Sequence, residues 1–226
     1  MATLSRVGEF VRRHDPDRFY TALFAPAEKR DALWALYAFN HELARARETV
    51  REPMMAMIRL QWWREVVEGA RRRHEVAEPL GAALDAGTLH APDLLAMIEG
   101  READPPENDR DWTDHVQATA GALAQAAAHA LGADDTQAIR AAGSAYGAAG
   151  LQRNRMLTGE KPIPALAAAG QDWLTQARQG PIPRQARAAA LPAVFAARDL
   201  RRASPVTARA LGDKLAVALA AATGRL

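Results

Sequence analysis

The sequence has no cysteine and no long apolar run, and these two absences exclude several classes of protein. Without cysteine there is no disulfide, no thiolate metal site and no cysteine nucleophile. No continuous apolar stretch approaches the roughly 18 to 20 residues that a membrane-spanning helix needs. Residues 1–15 also lack the apolar segment of a secretory signal. We therefore expect a cytoplasmic protein without a transmembrane span.

Lysine is scarce, and arginine carries nearly all of the positive charge. Lysine occurs only as Lys29, Lys161 and Lys214, and the formal net charge of the 226 residues is +2. So small a net charge predicts no strong field toward nucleic acid. Trp62 and Trp63 are not interleaved with basic residues as in base-stacking surfaces, which makes them candidate core residues. We expect no nucleic-acid partner.

Strand-type alternation is missing as well, whereas apolar residues recur at helical spacing along the chain. The length suits one domain of ordinary size. We predict an all-α, single-domain helical bundle over residues 1–226, with a central helix over 53–73 and a loop over 158–170. The other helices are predicted over 3–13, 15–24, 27–48, 79–86, 92–100, 111–131, 134–156, 171–179, 184–202 and 206–222.

Two basic segments raise the question of contact with a membrane surface. In the first predicted helix, Leu4, Val7, Phe10 and Val11 share one face. This pattern predicts a helix docked onto the bundle, and the alternative is a helix that lies on a membrane. The basic run 71–73 is typical of a solvated helix end, with contact to anionic lipid as the alternative.

The histidines do not form a metal-binding pattern in the sequence. They occur at positions 14, 41, 74, 90, 115 and 129. We find no histidine or acidic partner at metal-like spacing on one helix face for any of them. Structural roles are therefore predicted for all six, and no metal site is predicted.

A segment in the first third of the chain carries the most distinctive pattern. Phe19-Tyr20 is followed by Pro26, by Arg30, by the run 35–39 (Ala-Leu-Tyr-Ala-Phe) and by the run 59–64 (Arg-Leu-Gln-Trp-Trp-Arg). In this order and spacing, residues 18–68 resemble the squalene/phytoene synthase family, and residues 140–164 do so weakly. The resemblance implies the isoprenoid synthase type of helical bundle.

The resemblance also marks the positions at which the enzymes of that family carry acidic residues, which bind Mg²⁺ against the substrate diphosphates. Mg²⁺ prefers carboxylate and other oxygen ligands, and Glu48 is the one acid left at these positions. We therefore predict degraded motifs, no catalytic residue and no cofactor. The motif positions in this sequence are Ala44, Arg45 and Glu48 in the first motif and Arg153, Asn154, Leu157 and Thr158 in the second.

Within the family, the run 38–44 (Ala-Phe-Asn-His-Glu-Leu-Ala) and the missing acid pairs are most similar to a non-catalytic branch, the assembly factors of respiratory complex I. The resemblance implies a role in building NADH:ubiquinone oxidoreductase, with respiratory complex subunits or an isoprenoid or lipid as partners and peripheral contact with the inner membrane. One alternative is an active prenyl-diphosphate transferase that uses Mg²⁺ and acids among Asp31, Glu42 and Glu48. Another is a scaffolding bundle without a ligand.

The arginines near the predicted cleft suggest a hypothesis for ligand binding. Guanidinium groups bind phosphate through paired hydrogen bonds, so we predict that arginines hold a phosphate or diphosphate without Mg²⁺. The alternative is that they are solvated helix ends in surface ion pairs. The candidate ligand-binding residues are Arg30, Tyr37, His41, Arg45, Arg153 and Arg155.

Small residues line one face of the predicted helix 134–156. Gly143, Gly147, Gly150 and Asn154 follow one another at helical spacing on that face. The pattern predicts a ridge that lets two helices approach closely. The alternative is the smooth wall of a cavity for a prenyl chain, and the two are compatible.

Overall fold

The computed structural model of the protein describes residues 4–48, 53–103, 106–202 and 204–226, and the side chains at positions 48 and 53 lie outside that description. Within these ranges the protein is α-helical without a β-strand, which confirms the predicted all-α class. No helix of the described ranges is long and apolar enough to cross a bilayer. The helices are α1 (Arg6–His14), α2 (Pro16–Ala22), α3 (Arg30–Glu48), α4 (Pro53–Val67), α5 (Ala77–Asp85), α6 (Ala91–Glu102), α7 (Asp109–Val116), α8 (Ala122–Ala130), α9 (Gln137–Leu157), α10 (Pro164–Gln179), α11 (Arg187–Ala190), α12 (Pro192–Asp199) and α13 (Leu211–Thr223).

The central helix is α9, and not the helix that begins at residue 53. α9 packs against α8, α10 and α12 and against the π-helical turn Gln117–Gly121 that joins α7 to α8. By contrast, α4 contacts the bundle through Leu60 and Trp63, while Met54 and Ile58 on its other side are 75% and 54% exposed. The prediction of a central helix over 53–73 is therefore wrong, because α4 is apolar on more faces than it buries.

The basic run 71–73 is not a helix end. α4 stops at Val67, and Gly69 then adopts a φ of +113°, a left-handed conformation that glycine tolerates best. Downstream of this turn, Arg71 pairs with Asp85 at 2.6 Å and Arg72 pairs with Glu65 at 2.8 Å. These arginines form surface ion pairs, and their predicted role at the end of a helix is wrong.

The C-terminal third differs from the prediction at three places. Residues from Pro164 onward are helical and not part of a loop, because Pro164 is the first residue of α10 and suits that position. Pro192 divides the predicted helix 184–202 into α11 and α12. The last helix begins at Leu211, where the carboxylate of Asp213 accepts the backbone N–H of Ala210. Residues 206–210 thus form an irregular segment before α13.

A candidate ligand cavity

An open cavity of about 900 Å³ lies between α2, α3, α7, α9 and the segment 206–209. Its apolar wall includes Phe19, Val116, Leu151 and Phe195. Six cationic side chains and two carboxylates of the described residues complete the lining, which gives the cavity an excess of positive charge. These charged residues are Arg12, Arg18, Arg101, Arg153, Arg209, Lys214, Asp15 and Asp17.

The start of α2 places two of these groups by its own local chemistry. Asp15 caps the helix by accepting the backbone N–H of Arg18 at 3.1 Å, and Pro16 occupies the first helical position. The Arg18 guanidinium then pairs with the Asp15 carboxylate at 2.9 Å and lies 4.6 Å from the centre of the Tyr146 ring. The motif Asp-Pro-Asp-Arg therefore turns Asp17 and Arg18 toward the cavity and the core.

Asp17 is the most heavily bound carboxylate of the cavity wall. Its side chain is 7% exposed and lies 2.6 Å from Nη2 of Arg209. The Tyr146 hydroxyl donates to the same carboxylate at 3.0 Å, and Arg153 approaches to 3.5 Å. Burial alone would raise the pKa of Asp17, but its hydrogen bond and charge interaction with Arg209 and the charge of Arg153 outweigh burial and lower that pKa. Asp17 is therefore ionised and neutralised by arginine.

Asp199 at the end of α12 completes the network. Arg209 contacts its carboxylate at 2.5 Å and Arg153 at 3.0 Å, so both arginines bridge Asp17 and Asp199. Arg202 adds a contact at 3.1 Å. Buried charges are stable only when they are paired and hydrogen-bonded. This network ties α2, α9 and α12 to the segment before α13.

Mg²⁺ does not fit the residues present. Asp15 and Asp17, the carboxylates that line the cavity among the described residues, are both occupied by arginine. At the second motif, Asn154 and Leu157 line the cavity where the family enzymes carry acids. A divalent cation beside the described lining would meet guanidinium groups without a free carboxylate pair, which its coordination requires.

The structure brings only part of the predicted ligand-binding set to this cavity. Of that set, Arg153 lines it, next to the motif position Asn154. Tyr37 is buried outside the lining, and Arg18, which does line the cavity, lies 5.9 Å from the centre of its ring. His41 lies beside the ring of His14 at 4.8 Å, between α1 and α3. Burial and then the neighbouring His14 lower the pKa of His41.

The other predicted arginines lie elsewhere. Arg30 donates to the carbonyl of Ala25 at 3.0 Å, and Arg155 donates to the carbonyl of Lys161 at 2.8 Å. Arg45 lines a separate groove with Trp62 and Trp63. Of the predicted arginines, Arg153 is the one in the described lining of this cavity, because helical spacing on α3 and α9 turns the others to different sides of the bundle.

The first Asp-rich motif is also displaced from the cavity lining. Ala44 is half-buried on α3, and the residue of that helix that does line the cavity is Asn40, one turn earlier. Glu48 is the last residue of α3, and its side chain lies outside the described residues.

Several cavity residues were not predicted, and His115 is the most informative of them. Burial, and then the charges of Arg101 and Arg47, lower the pKa of His115 to about 4. His115 is therefore neutral chiefly because it is buried, and Arg101 and Arg47 add positive potential at the α7 side of the cavity. Arg209 and Lys214 were missed because the sequence gives no signal that residues near 210 return to α2.

The glycine face of α9 has two functions, as the sequence analysis allowed. A Cβ placed on Gly143 would lie 2.4 Å from Cβ of Ala124, and one on Gly147 would lie 2.4 Å from Cβ of Ala120. These two positions therefore permit close helix packing. Gly150 faces open space and lines the cavity with Gly147. The ridge and the cavity wall are consecutive parts of one helix face.

Comparison with known proteins agrees with this geometry. A sequence profile described as squalene/phytoene synthase matches residues 11–154. A protein of Homo sapiens named NADH dehydrogenase (ubiquinone) complex I, assembly factor 6, is 29% identical over 142 residues, which cover 59% of this chain and 43% of the human protein. Its Drosophila melanogaster homolog is 27% identical over 172 residues, which cover 69% of this chain and 52% of that protein. The chain thus spans about half the length of these relatives.

Solved structures show the same fold at low sequence identity. A dehydrosqualene synthase in complex with a ligand superimposes with a TM-score of 0.71 and 11% identity, covering 96% of this chain and 94% of that one. A squalene synthase from Alicyclobacillus acidocaldarius gives a TM-score of 0.65 and 15% identity, covering 86% and 90%. These similarities confirm the isoprenoid synthase type of bundle.

Proposed function

The chain belongs to the squalene/phytoene synthase family, and we propose that it is a non-catalytic member that assists the assembly of respiratory complex I. The similarity to assembly factor 6 of two animals supports the assembly role. The lost acids at positions 44, 45, 154, 157 and 158 support the absence of diphosphate chemistry. Clients of this role are respiratory complex subunits.

One observation carries the non-catalytic part of the proposal. The carboxylates of the described cavity lining, Asp15 and Asp17, are each paired with an arginine. Ionisation of an allylic diphosphate needs a metal that neutralises the leaving group. Here the carboxylates of the described lining are neutralised and cationic side chains remain in excess over them, which suits the binding of an anion rather than the departure of one.

The cavity also defines the class of ligand within this proposal. An apolar wall with an excess of cationic groups is complementary to an anionic amphiphile, such as a prenyl diphosphate or a phospholipid. Phospholipids reside in membranes, and Arg12 on the basic α1 lines the cavity and is exposed. The proposal therefore includes peripheral contact of α1 with the membrane that contains complex I.

Two variants separate the cavity from the packing of the bundle. Gly150→Leu places a side chain in open space and fills part of the cavity, whereas Gly150→Ala is the matched control with one methyl group. In a strain that lacks the gene, we expect low NADH oxidase activity in the membranes. Wild type and Gly150→Ala should restore it, and Gly150→Leu should restore it poorly. Full NADH oxidase activity in the deletion strain would contradict the assembly role.

Direct binding tests the ligand class. Farnesyl diphosphate titrated without metal should bind wild type and bind Gly150→Leu at least tenfold more weakly. Lys214→Gln removes a cavity charge and should also weaken binding, whereas Lys161→Gln, at an exposed position outside the cavity, should not. No binding of farnesyl diphosphate or of phosphatidate to wild type in the millimolar range would contradict the proposed ligand class.

A further inference from the structure

A second cluster of chemically active side chains lies outside the cavity. His90 and Asp93 are at the start of α6, His129 is in the last turn of α8, and Asp135 follows in the loop before α9. None of the four lines the cavity. The absence of a metal site stays a prediction, but His90, the residue before α6, does have an acidic neighbour in Asp93, whose carboxylate lies 3.7 Å from its Nδ1.

The imidazole of His129 lies between two carboxylates. Its Nδ1 is 2.8 Å from Oδ2 of Asp93, and its Nε2 is 2.9 Å from Oδ1 of Asp135. A neutral imidazole donates from one nitrogen and presents a lone pair on the other. One carboxylate would then face a lone pair at hydrogen-bonding distance, which is repulsive. The arrangement therefore favours a cation between His129 and one of the two carboxylates, either a second proton or a metal ion.

The presence of His90 as a third possible ligand favours a metal ion over a second proton. Nδ1 of His90 is 3.7 Å from the same Oδ2 of Asp93, and the ligand atoms of His90, Asp93 and His129 all lie within 4.8 Å of one another. Two ligands of one tetrahedral zinc ion are about 3.3 Å apart when each bond is about 2.0 Å long. The distance of 3.7 Å is close to that value. The distance of 2.8 Å between Nδ1 of His129 and Oδ2 of Asp93 would have to increase by roughly half an ångström to admit the ion.

The surroundings resemble the outer shell of a metal site. A histidine that binds a metal through one nitrogen usually donates its other N–H to a carboxylate, which fixes the tautomer. Asp135 occupies this position at Nε2 of His129. Gln125, which is 4% exposed, donates its side-chain amide to Asp135 and so holds that carboxylate in place. The C-terminal end of α8 adds negative potential that favours a cation at His129.

We propose that His90, Asp93 and His129 bind a divalent transition metal of the zinc class, with Asp135 orienting His129. Two imidazoles and one carboxylate match the ligand preference of zinc. The fourth position is left to water. The bound ion would link the start of α6 to the end of α8, and so would add to the stability of the half of the bundle that contains α3.

The test uses the full chain, stripped of metal by a chelator and titrated with Zn²⁺ alone. We expect one site per chain, and Co²⁺ at the same site should give the visible absorption of a tetrahedral complex. His129→Ala should weaken Zn²⁺ binding at least tenfold. Asp135→Asn should weaken it by about 10- to 100-fold, as the loss of an outer-shell carboxylate does. Asp134→Asn is the matched control, since Asp134 is exposed beside Asp135, and should bind as wild type does.

A variant that preserves folding keeps the test decisive. His90 is exposed and precedes the first residue of α6, where asparagine is a favourable cap, so His90→Asn should fold and lose affinity for Zn²⁺. Equal affinity of wild type, His90→Asn and His129→Ala would overturn the proposal. It would equally be overturned if wild type bound no Zn²⁺ and NMR showed both nitrogens of His129 protonated at neutral pH.

Discussion

Arg209 and Asp17 are 192 residues apart in the sequence, and Nη2 of Arg209 lies 2.6 Å from Oδ2 of Asp17 in the wall of the cavity. Both side chains are 7% exposed. The contact closes the chain on itself, because it joins the second helix to the segment before the last one. It also removes Asp17, the more deeply buried of the two carboxylates in the described lining, from any role as a free metal ligand.

Asp17→Asn should strongly destabilise the fold. The substitution keeps the shape of the side chain but leaves Arg209 and Arg153 facing Asp199 alone. Breaking a buried ion pair by removing one partner costs about 3–5 kcal/mol. Urea unfolding at neutral pH measures this loss.

An exposed ion pair supplies the control for that measurement. Glu9 and Arg12 pair at 3.0 Å on α1 with side chains 46% and 58% exposed. Glu9→Gln should change the free energy of unfolding by less than about 1 kcal/mol. If Asp17→Asn were as mild as Glu9→Gln, the buried network would not hold the C-terminal segment in place.

Two neighbouring glycines of α9 should respond to alanine in opposite directions. Gly150→Ala meets no atom within 4 Å and should raise the free energy of unfolding by about 0.5–1 kcal/mol, because alanine is the better helix former. Gly147→Ala would bring its Cβ to 2.4 Å from Ala120 and should lower stability by about 1–3 kcal/mol. Equal effects in denaturant unfolding would mean that the two positions do not differ in packing.

His115 should make the protein sensitive to mild acid. Its pKa is lowered to about 4 in the folded state by burial and by Arg101 and Arg47, against about 6.5 in the unfolded chain. Between these values the unfolded chain takes up a proton that the folded protein does not, so stability falls as the pH falls. Relative to His115→Gln, wild type should lose roughly 1 kcal/mol per pH unit in this window. If the free energy of unfolding of wild type and of His115→Gln depended on pH in the same way, this role of His115 would be refuted.

An anionic ligand in the cavity should raise the lowered pKa of His115, by the part of the shift that comes from Arg101 and Arg47. An anion beside Arg101 would offset the positive potential and raise the pKa of the imidazole. NMR titration of His115 with and without farnesyl diphosphate measures this change. His90, outside the cavity, is the internal control. If the pKa of His115 did not change when farnesyl diphosphate was added, the anion would not bind near Arg101.

The helical class and the glycine face were predictable because they depend on spacing within one helix. Gly143 and Gly150 lie on one face whatever the rest of the chain does. Residues 164–170 were missed because alanine and proline between two turns suit a loop as well as a helix start. The partners of Arg30 and Arg155 could not be predicted, since each donates to a nearby backbone carbonyl that the sequence does not mark as its acceptor.

Contacts between segments that are far apart in the chain could not be predicted from the sequence. Asp17 and Arg209 carry no pattern that links them, and the same holds for Asp93 and His129, which are 36 residues apart. Only the fold brings α6 to α8 and the segment 206–209 to α2. The motif-based prediction therefore names positions 44, 45, 154, 157 and 158, but not Arg209, which pairs with the carboxylates of Asp17 and Asp199.

Pyrophosphate release tests the central claim most directly. Purified protein with Mg²⁺ and farnesyl or geranylgeranyl diphosphate should release no pyrophosphate above the level of a blank without protein, even at concentrations that fill the cavity. Sustained Mg²⁺-dependent release by wild type that disappears in Gly150→Leu would show that the cavity catalyses prenyl transfer, and would contradict the account.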